Sequence, residues 1–217
     1  KQVTVVFADV VGSTSMAERL DPEELVELMN GAFTFMAGAV NRFGGTVERL
    51  MGDSVLAFFG ARQLHEDDAE RAVQAGLEIR DQAAAYGEKV RSRHGVEFRV
   101  RVGINTGLVV AGKVGSDLGE EFTTTGDAPN VASRLQAAAA PGTVLISAST
   151  HRLTRHAFDF HARGPIAVKG KSVPVEAWEV LAAKTAPGSG RGLQGHGLAS
   201  PLVGRDAELA LLVEKVR

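Results

Sequence analysis

Residues 3–14 read VTVVFADVVGST. Val3, Val5 and Phe7 alternate with Thr4, Val6 and Ala8, a β-rich run that suits a mostly buried strand. Asp9 falls where that strand ends, and Gly12-Ser13-Thr14 opens a helix. A carboxylate beside backbone N–H groups at a helix start suits a metal-bound phosphate, the carboxylate holding the cation and the amides and helix dipole receiving the anion. The same residues also fit a plain turn, with Asp9 as a turn residue and Ser13 as an N-cap. The two readings separate on whether a second carboxylate and phosphate-facing cations occur elsewhere.

Beyond this stretch, Asp21-Pro22-Glu23-Glu24 starts a helix: Asp21 suits the N-cap, Pro22 the first turn, and Glu24 can close a capping box. Leu25, Leu28, Met29, Ala32, Phe33, Met36 and Val40 follow at helical spacing, and Gly44-Gly45 ends the run. Thr46–Leu50 and Ser54–Phe59 are short β-rich runs joined by Met51-Gly52-Asp53, a hairpin with Asp53 at its turn. A second long helix is expected from about His65 to Arg93, its start favoured by the acidic run Glu66-Asp67-Asp68. Phe98–Asn105 and Leu108–Ala111 read as strands with Thr106-Gly107 turning between them, followed by a looser arm, Gly112–Thr125. Asp127 starts a helix to about Ala139. Thr143–Ser147 is a strand, Ser149–Thr154 a short helix, and Phe158–His161 and Val173–Leu181 are closing strands. Adjacent hairpins and two long helices predict an α+β fold, with helices packed over a largely antiparallel sheet.

The composition sets bounds on function. A hydrophobic content of 44% with 23% charged residues is that of an ordinary globular chain. The net charge of −2 gives no basic footprint for nucleic acid, and no apolar run is long enough to span a membrane. The absence of cysteine rules out disulfides and thiolate metal sites, and fits a cytoplasmic location. The chain opens on Lys1 directly ahead of a strand, as expected for a piece of a longer polypeptide.

The second carboxylate is Asp53, on a hairpin able to pair beside the first strand. Two aspartates converging on Mg²⁺ are the usual protein share of a two-metal phosphoryl site, because substrate phosphates and water supply the remaining ligands. Asp53 would otherwise be a turn former after Gly52. Asn130 and Arg134 lie four apart on one helix face, where an amide and a guanidinium can stabilise charge on a phosphoryl oxygen, or can be ordinary surface residues. Val168-Lys169-Gly170-Lys171 places cations in a short turn, able to meet a polyphosphate or simply solvated. Gly107–Lys113, GLVVAGK, imitates a phosphate-binding loop but continues with Val114 in place of the required Ser or Thr, within a β-rich segment; it is rejected. His151, His156 and His161 are spaced by five, share no face and make no metal site.

Taken together, FADVVGST at 7–14, MGDSVLAFFG at 51–60, RVGINTG at 101–107 and TTTGDAPNVASRL at 123–135, supported by VKGK at 168–171, resemble the class III nucleotidyl cyclase catalytic domain over roughly Val3–Leu181. The resemblance implies a ferredoxin-like palm that forms head-to-tail dimers. It implies conversion of a nucleoside triphosphate to a 3′,5′-cyclic monophosphate and pyrophosphate, by in-line attack of the 3′-hydroxyl on the α-phosphate with two ions, Mg²⁺ or Mn²⁺, per site. Carried over by motif, Asp9 and Asp53 are the metal ligands. Val10, Val11, Gly12, Ser13 and Thr14 cradle the triphosphate, and Lys169 holds its terminal phosphates. Asn130 orients the ribose and Arg134 stabilises the transition state; these two and Lys169 come from the partner chain of a homodimer clasped by the Gly112–Thr125 arm.

The base-reading positions depart from the family pattern. Arg49 stands where the family's adenine-reading lysine is expected, and Thr123 at the companion position that is often aspartate. Arg49 cannot accept a hydrogen bond, which disfavours guanine and leaves ATP as the expected substrate, although its planar fork is no conservative replacement for lysine. Thr123 resembles the bicarbonate-responsive bacterial subgroup. Pro, Gly and Ser dominate residues 187–197, so 1–182 is expected to be the catalytic domain and 183–201 a linker. LVGRDAELALL at 202–212 resembles the entry to an ATPase domain, so 202–217 would begin one belonging to the same polypeptide.

Overall fold

A computed structural model describes residues 1–113, 122–125, 127–166 and 174–185. The opening run is strand β1 (Gln2–Val10), followed by a single short helical turn, α1 (Ser13–Ala17), and a long helix, α2 (Pro22–Arg42). The hairpin β2 (Thr46–Met51) and β3 (Ser54–Phe59) comes next, then α3 (Asp68–His94) and β4 (Val100–Leu108). The remaining elements are β5 (Val110–Lys113), β6 (Phe122–Thr125), α4 (Asp127–Ala138), β7 (Val144–Ser147), α5 (Ala148–Thr154), β8 (Phe158–Ile166) and β9 (Val175–Ala183). Seven strands form one sheet in the order β2-β3-β1-β4-β7-β9-β8. Its pairs are antiparallel except β4 with β7. The first four strands, with α2 and α3 as their crossovers, have the ferredoxin-like order, so the expected α+β palm is the observed fold.

The two faces of β1 are sorted by alternation. Val6, Ala8 and Val10 join Val55, Ala57, Phe59, Val102 and Ile104 in the core beneath α2 and α3. Val3 and Val5 point the other way, with Phe58, against Ala128 and Ala132 of α4. At Gly103 the sheet and α4 nearly touch: a Cβ there would come within 2.2 Å of the Ala132 carbonyl oxygen and of the Gln136 nitrogen. No side chain fits at that point, so α4 lies directly on β4 and its rotation about its own axis is set.

Several local expectations are corrected. Thr106 and Gly107 do not turn the chain but continue β4, paired with Thr4 and Val3 of β1. The Thr106 hydroxyl bonds the Thr4 and Thr150 hydroxyls at 2.9 and 3.0 Å, and Gly107 gives room to Ala128 of α4. The glycine is there for a close approach, which in sequence looks the same as a turn. The ends of the expected loose arm pair as a two-stranded β5–β6 ribbon, and residues 114–121 between them lie outside the described residues. The α2 start has Asp21 at its N-cap position without a side-chain capping bond. Glu24 faces His94 of α3 at 3.3 Å instead of closing a capping box. Helix α3 starts at Asp68 rather than His65 because Asp68 accepts the His65 backbone N–H at 2.9 Å, closing a turn ahead of the helix.

Among the described residues no helix is long and apolar enough to cross a membrane. The rejected phosphate-loop imitation runs from the end of β4 into strand β5. His151 stacks on Trp178 with ring centroids 4.5 Å apart, and His156 pairs with Glu70 at 3.2 Å. These two histidines therefore have structural partners, and among the described residues no group of three or more acidic, histidine or cysteine side chains is set to hold a metal ion.

Candidate active site

The site begins with strand register. Asp9 is the penultimate residue of β1, and its cross-strand partners are Ser54 on β3 and Arg101 on β4. In an antiparallel sheet directly paired residues share a face. Three polar side chains therefore stand in a row on the face that carries α4, and Asp53 joins them from the Gly52-Asp53 turn of the hairpin. The turn is docked onto β1 by the Val10 N–H, which donates to the Asp53 carbonyl at 3.1 Å.

One hydroxyl serves both carboxylates. Ser54 Oγ lies 2.7 Å from Asp9 Oδ1 and 3.3 Å from Asp53 Oδ1. Asp9 Oδ2 accepts from Arg101 Nη2 at 2.8 Å and from Gln136 Nε2 of α4 at 3.0 Å. Ser13, the first residue of α1, donates its hydroxyl to Asp53 Oδ2. Ser13 is therefore inside the helix rather than its N-cap, a position held by Gly12 at φ 72°, in the left-handed region that favours glycine. Asp9 is buried and Asp53 half-buried. An all-oxygen pair of carboxylates, held side by side, suits a hard divalent cation such as Mg²⁺ or Mn²⁺, with further ligands to come from a substrate. The donor chemistry fits the implied metal.

The expected phosphate cradle is narrower than its motif. The Val10 and Val11 N–H groups are already committed, to the Asp53 and Arg99 carbonyls at 3.1 and 2.9 Å. Helix geometry leaves the amides at the start of α1, Ser13 and Thr14, without intrahelical acceptors, with Gly12 beside them. Because α1 is only five residues long, these N–H groups contribute more than any helix dipole.

Asn130 and Arg134 are not part of this cluster. Both lie on α4, Asn130 exposed and Arg134 half-buried. Gln136, which reaches Asp9, is two residues past Arg134, or roughly 200° around the helix. The pair thus faces away from the aspartates of its own chain. Arg49 is exposed on the edge strand β2 opposite Leu56, after a register shift between Val47 and Arg49. Thr123 is paired with Gly112 in the β5–β6 ribbon. Lys169 and the rest of VKGK lie outside the described residues.

Sequence alone does not single out three members of the cluster: Ser54, Arg101 and Gln136. Ser54 follows Asp53 directly and Arg101 opens the RVGINTG motif, so both lay inside stretches already singled out. Their relation to Asp9 is a matter of register between distant strands. Gln136 needed the rotation of α4 that Gly103 sets.

Residues 1–181 match the family described as "Adenylate and Guanylate cyclase catalytic domain", and the chain belongs to that family. Adenylate cyclase 1 of Rhizobium meliloti is 32% identical over 183 residues, covering 83% of this chain and 28% of that protein. Receptor-type guanylate cyclase gcy-7 of Caenorhabditis elegans is 30% identical over 180 residues, covering 82% of this chain and 16% of that protein. The crystal structure of the adenylyl cyclase CyaB from P. aeruginosa superposes with a TM-score of 0.81 at 34% identity, covering 85% of this chain and 96% of that one. The chain thus spans less than a third of the length of either of these two curated relatives.

Proposed function

We propose that this chain converts ATP to 3′,5′-cyclic AMP and pyrophosphate at a site shared between two copies arranged head to tail. The observation that carries the reading is the Ser54 hydroxyl, which holds Asp9 and Asp53 side by side while Asn130 and Arg134 stand on the opposite side of α4. One chain presents the carboxylates and, on another surface, the amide and guanidinium. Two copies can each complete the other's site. Asp9 and Asp53 hold two Mg²⁺ or Mn²⁺ ions, and the amides of Gly12, Ser13 and Thr14 receive the triphosphate, with Val10 and Val11 shaping the turn. Lys169 of the second copy holds the terminal phosphates. Asn130 of the second copy orients the ribose, and its Arg134 donates to the charge that builds on the α-phosphate oxygens. The bound ions supply positive charge to the attacking hydroxyl and to the phosphates.

The test is cyclic AMP formation from ATP with Mg²⁺ or Mn²⁺, followed across protein concentration. Specific activity should climb with concentration as dimers form, and an absence of product in samples shown to be dimeric would overturn the reading. GTP run in parallel should give less product, because Arg49 offers guanine no acceptor.

A second reading, a nucleotide-binding regulatory module with weak or no turnover, is favoured by Arg49 standing where the family expects lysine. Arg49→Lys separates the two: a rise in turnover of about threefold or more would mark Arg49 as the limiting residue. Nucleotide binding with no turnover in either form would favour the module. Bicarbonate should stimulate turnover if Thr123 marks the responsive subgroup, and a flat titration at fixed pH would remove that assignment. In the same reading residues 1–182 are the catalytic domain, working in the cytoplasm. Residues 183–201 tether it to an ATPase-type domain beginning at 202–217, which lies outside the described residues.

A further inference from the structure

Asp9 already has a cation. The Arg101 guanidinium reaches it at 2.8 Å, and the contact is set by cross-strand register rather than by a chance rotamer. The carboxylate side chain is 12% exposed and the guanidinium side chain 29%, so water screens the pair incompletely. Arg101 itself is poorly served there. Beyond Asp9 its Nη1 reaches the Ala137 carbonyl only at 3.5 Å, and its buried Nε has no hydrogen-bond partner. A guanidinium has five donors in a fixed fork, and here one of them makes a short bond. One short bond thus neutralises Asp9 while the rest of the fork is poorly engaged.

We propose that Arg101 is a resident counter-cation that gates metal entry at Asp9, so that divalent cation and polyphosphate are taken up together rather than metal first. The proposal rests on the assignment of Asp9 and Asp53 as metal ligands. A divalent ion arriving alone at Asp9 meets a guanidinium a few ångströms away, and the repulsion lowers its affinity. An arriving polyphosphate gives that guanidinium another anion to bond and removes the repulsion. Linkage makes the effect reciprocal: whatever factor the polyphosphate adds to metal affinity, the metal adds to polyphosphate affinity. Ser54 and Gln136 are uncharged and can keep the Asp9 carboxylate oriented whichever cation it holds.

A purely structural Arg101 predicts the opposite sign. If it only positioned Asp9, its removal would let the carboxylate wander and would weaken metal binding. The experiment is Mn²⁺ binding to the full chain, followed by the paramagnetic resonance signal of free Mn²⁺, for the wild type, Arg101→Met and Arg101→Gln. Met keeps the apolar stem and Gln keeps a donor, and either folded variant, checked by circular dichroism, decides the question. Without added anion, the variant should bind Mn²⁺ about tenfold more tightly than the wild type. With inorganic tripolyphosphate the gap should close or reverse; chelation in solution is common to both proteins and cancels in their ratio. Asp9→Asn added to the variant should abolish the gain. Equal Mn²⁺ binding by both proteins, still dependent on Asp9, would overturn the gate and leave the metal assignment standing. Binding indifferent to Asp9→Asn would overturn both.

Discussion

The acidic end of β1 and the outer face of α4 belong to one domain but are finished to different degrees. At the end of β1 the carboxylate oxygens accept hydrogen bonds from within the chain: Asp9 from Ser54, Arg101 and Gln136, and Asp53 from Ser13 and Ser54. Asn130, exposed, and Arg134, half-buried, stand four residues apart on the side of α4 turned away from that cluster. The inner face of the same helix is fitted so closely that Gly103 leaves no room for a Cβ. The carboxylates, proposed to hold metal, already have partners within the chain, although Arg101 Nε beside them has none. In the proposed shared site, the region that would act on a ligand held by another copy is left open, and its accuracy would come from how rigidly its helix is seated.

The sharpest way to break this contrast is to disable each region separately and then mix. Asp9→Asn and Arg134→Ala should each lower cyclic AMP formation by about 1,000-fold, since each removes several kcal/mol of charge stabilisation. If the regions act across two copies, an equal mixture of the two dead variants should recover about a quarter of wild-type activity, because half the dimers are mixed and each then has one intact site of two. Activity in the mixture no higher than in either variant would place both regions in one chain's site.

Next in size is the seating of α4. Gly103→Ala forces a methyl group against the Ala132 carbonyl and the Gln136 nitrogen, and should cost about 3 kcal/mol in chemical denaturation. An unchanged denaturation midpoint would show that α4 yields easily, and the rigidity assigned to the outer pair would be lost with it.

A smaller effect is expected at Ser54. Ser54→Ala leaves both aspartates in place but removes the hydroxyl between them, and should weaken Mn²⁺ binding by about tenfold with little change in nucleotide affinity measured without metal.

The smallest effect lies far from both regions. Burial, aided by the nearby Arg155 and Arg152, holds the His151 pKa below its ordinary value. The unfolded chain therefore takes up this proton more readily than the folded one. Stability should fall as pH drops through the ordinary histidine range toward the lower folded value, and stay level with respect to this group above it. Trp178, stacked on the His151 ring and the only tryptophan of the chain, reports the unfolding by fluorescence. His151→Phe should flatten part of that slope, and an identical slope in the variant would assign it to other groups.

Sequence and structure divide these results along a physical line. Alternation in residues 3–8, the amphipathic run from Pro22 to Val40 and the Gly52-Asp53 turn carry their structure locally. The α+β class and the pairing of an aspartate on β1 with one on the hairpin could accordingly be read from the order of residues. The motifs named Asp9, Asp53, Asn130 and Arg134 as chemistry-bearing residues. They could not say that the first two share a hydroxyl while the other two face away. Thr106-Gly107 reads as a turn in sequence because glycine chosen for close packing and glycine chosen for a bend look alike until the partner helix is in view.

What the tertiary structure decided was register and rotation. The pairing of Asp9 with Ser54 and Arg101 joins residues from three strands far apart in the chain, and a slip of one position would have turned them to the opposite face. The contact of Gln136 with Asp9 follows from the angle at which α4 rests on Gly103. The residues at 3–14 contain the strand, the carboxylate and the turn. Only the packing of strands and helix around them determines that the carboxylate is already neutralised by a guanidinium, because that requires long-range contacts no local pattern encodes.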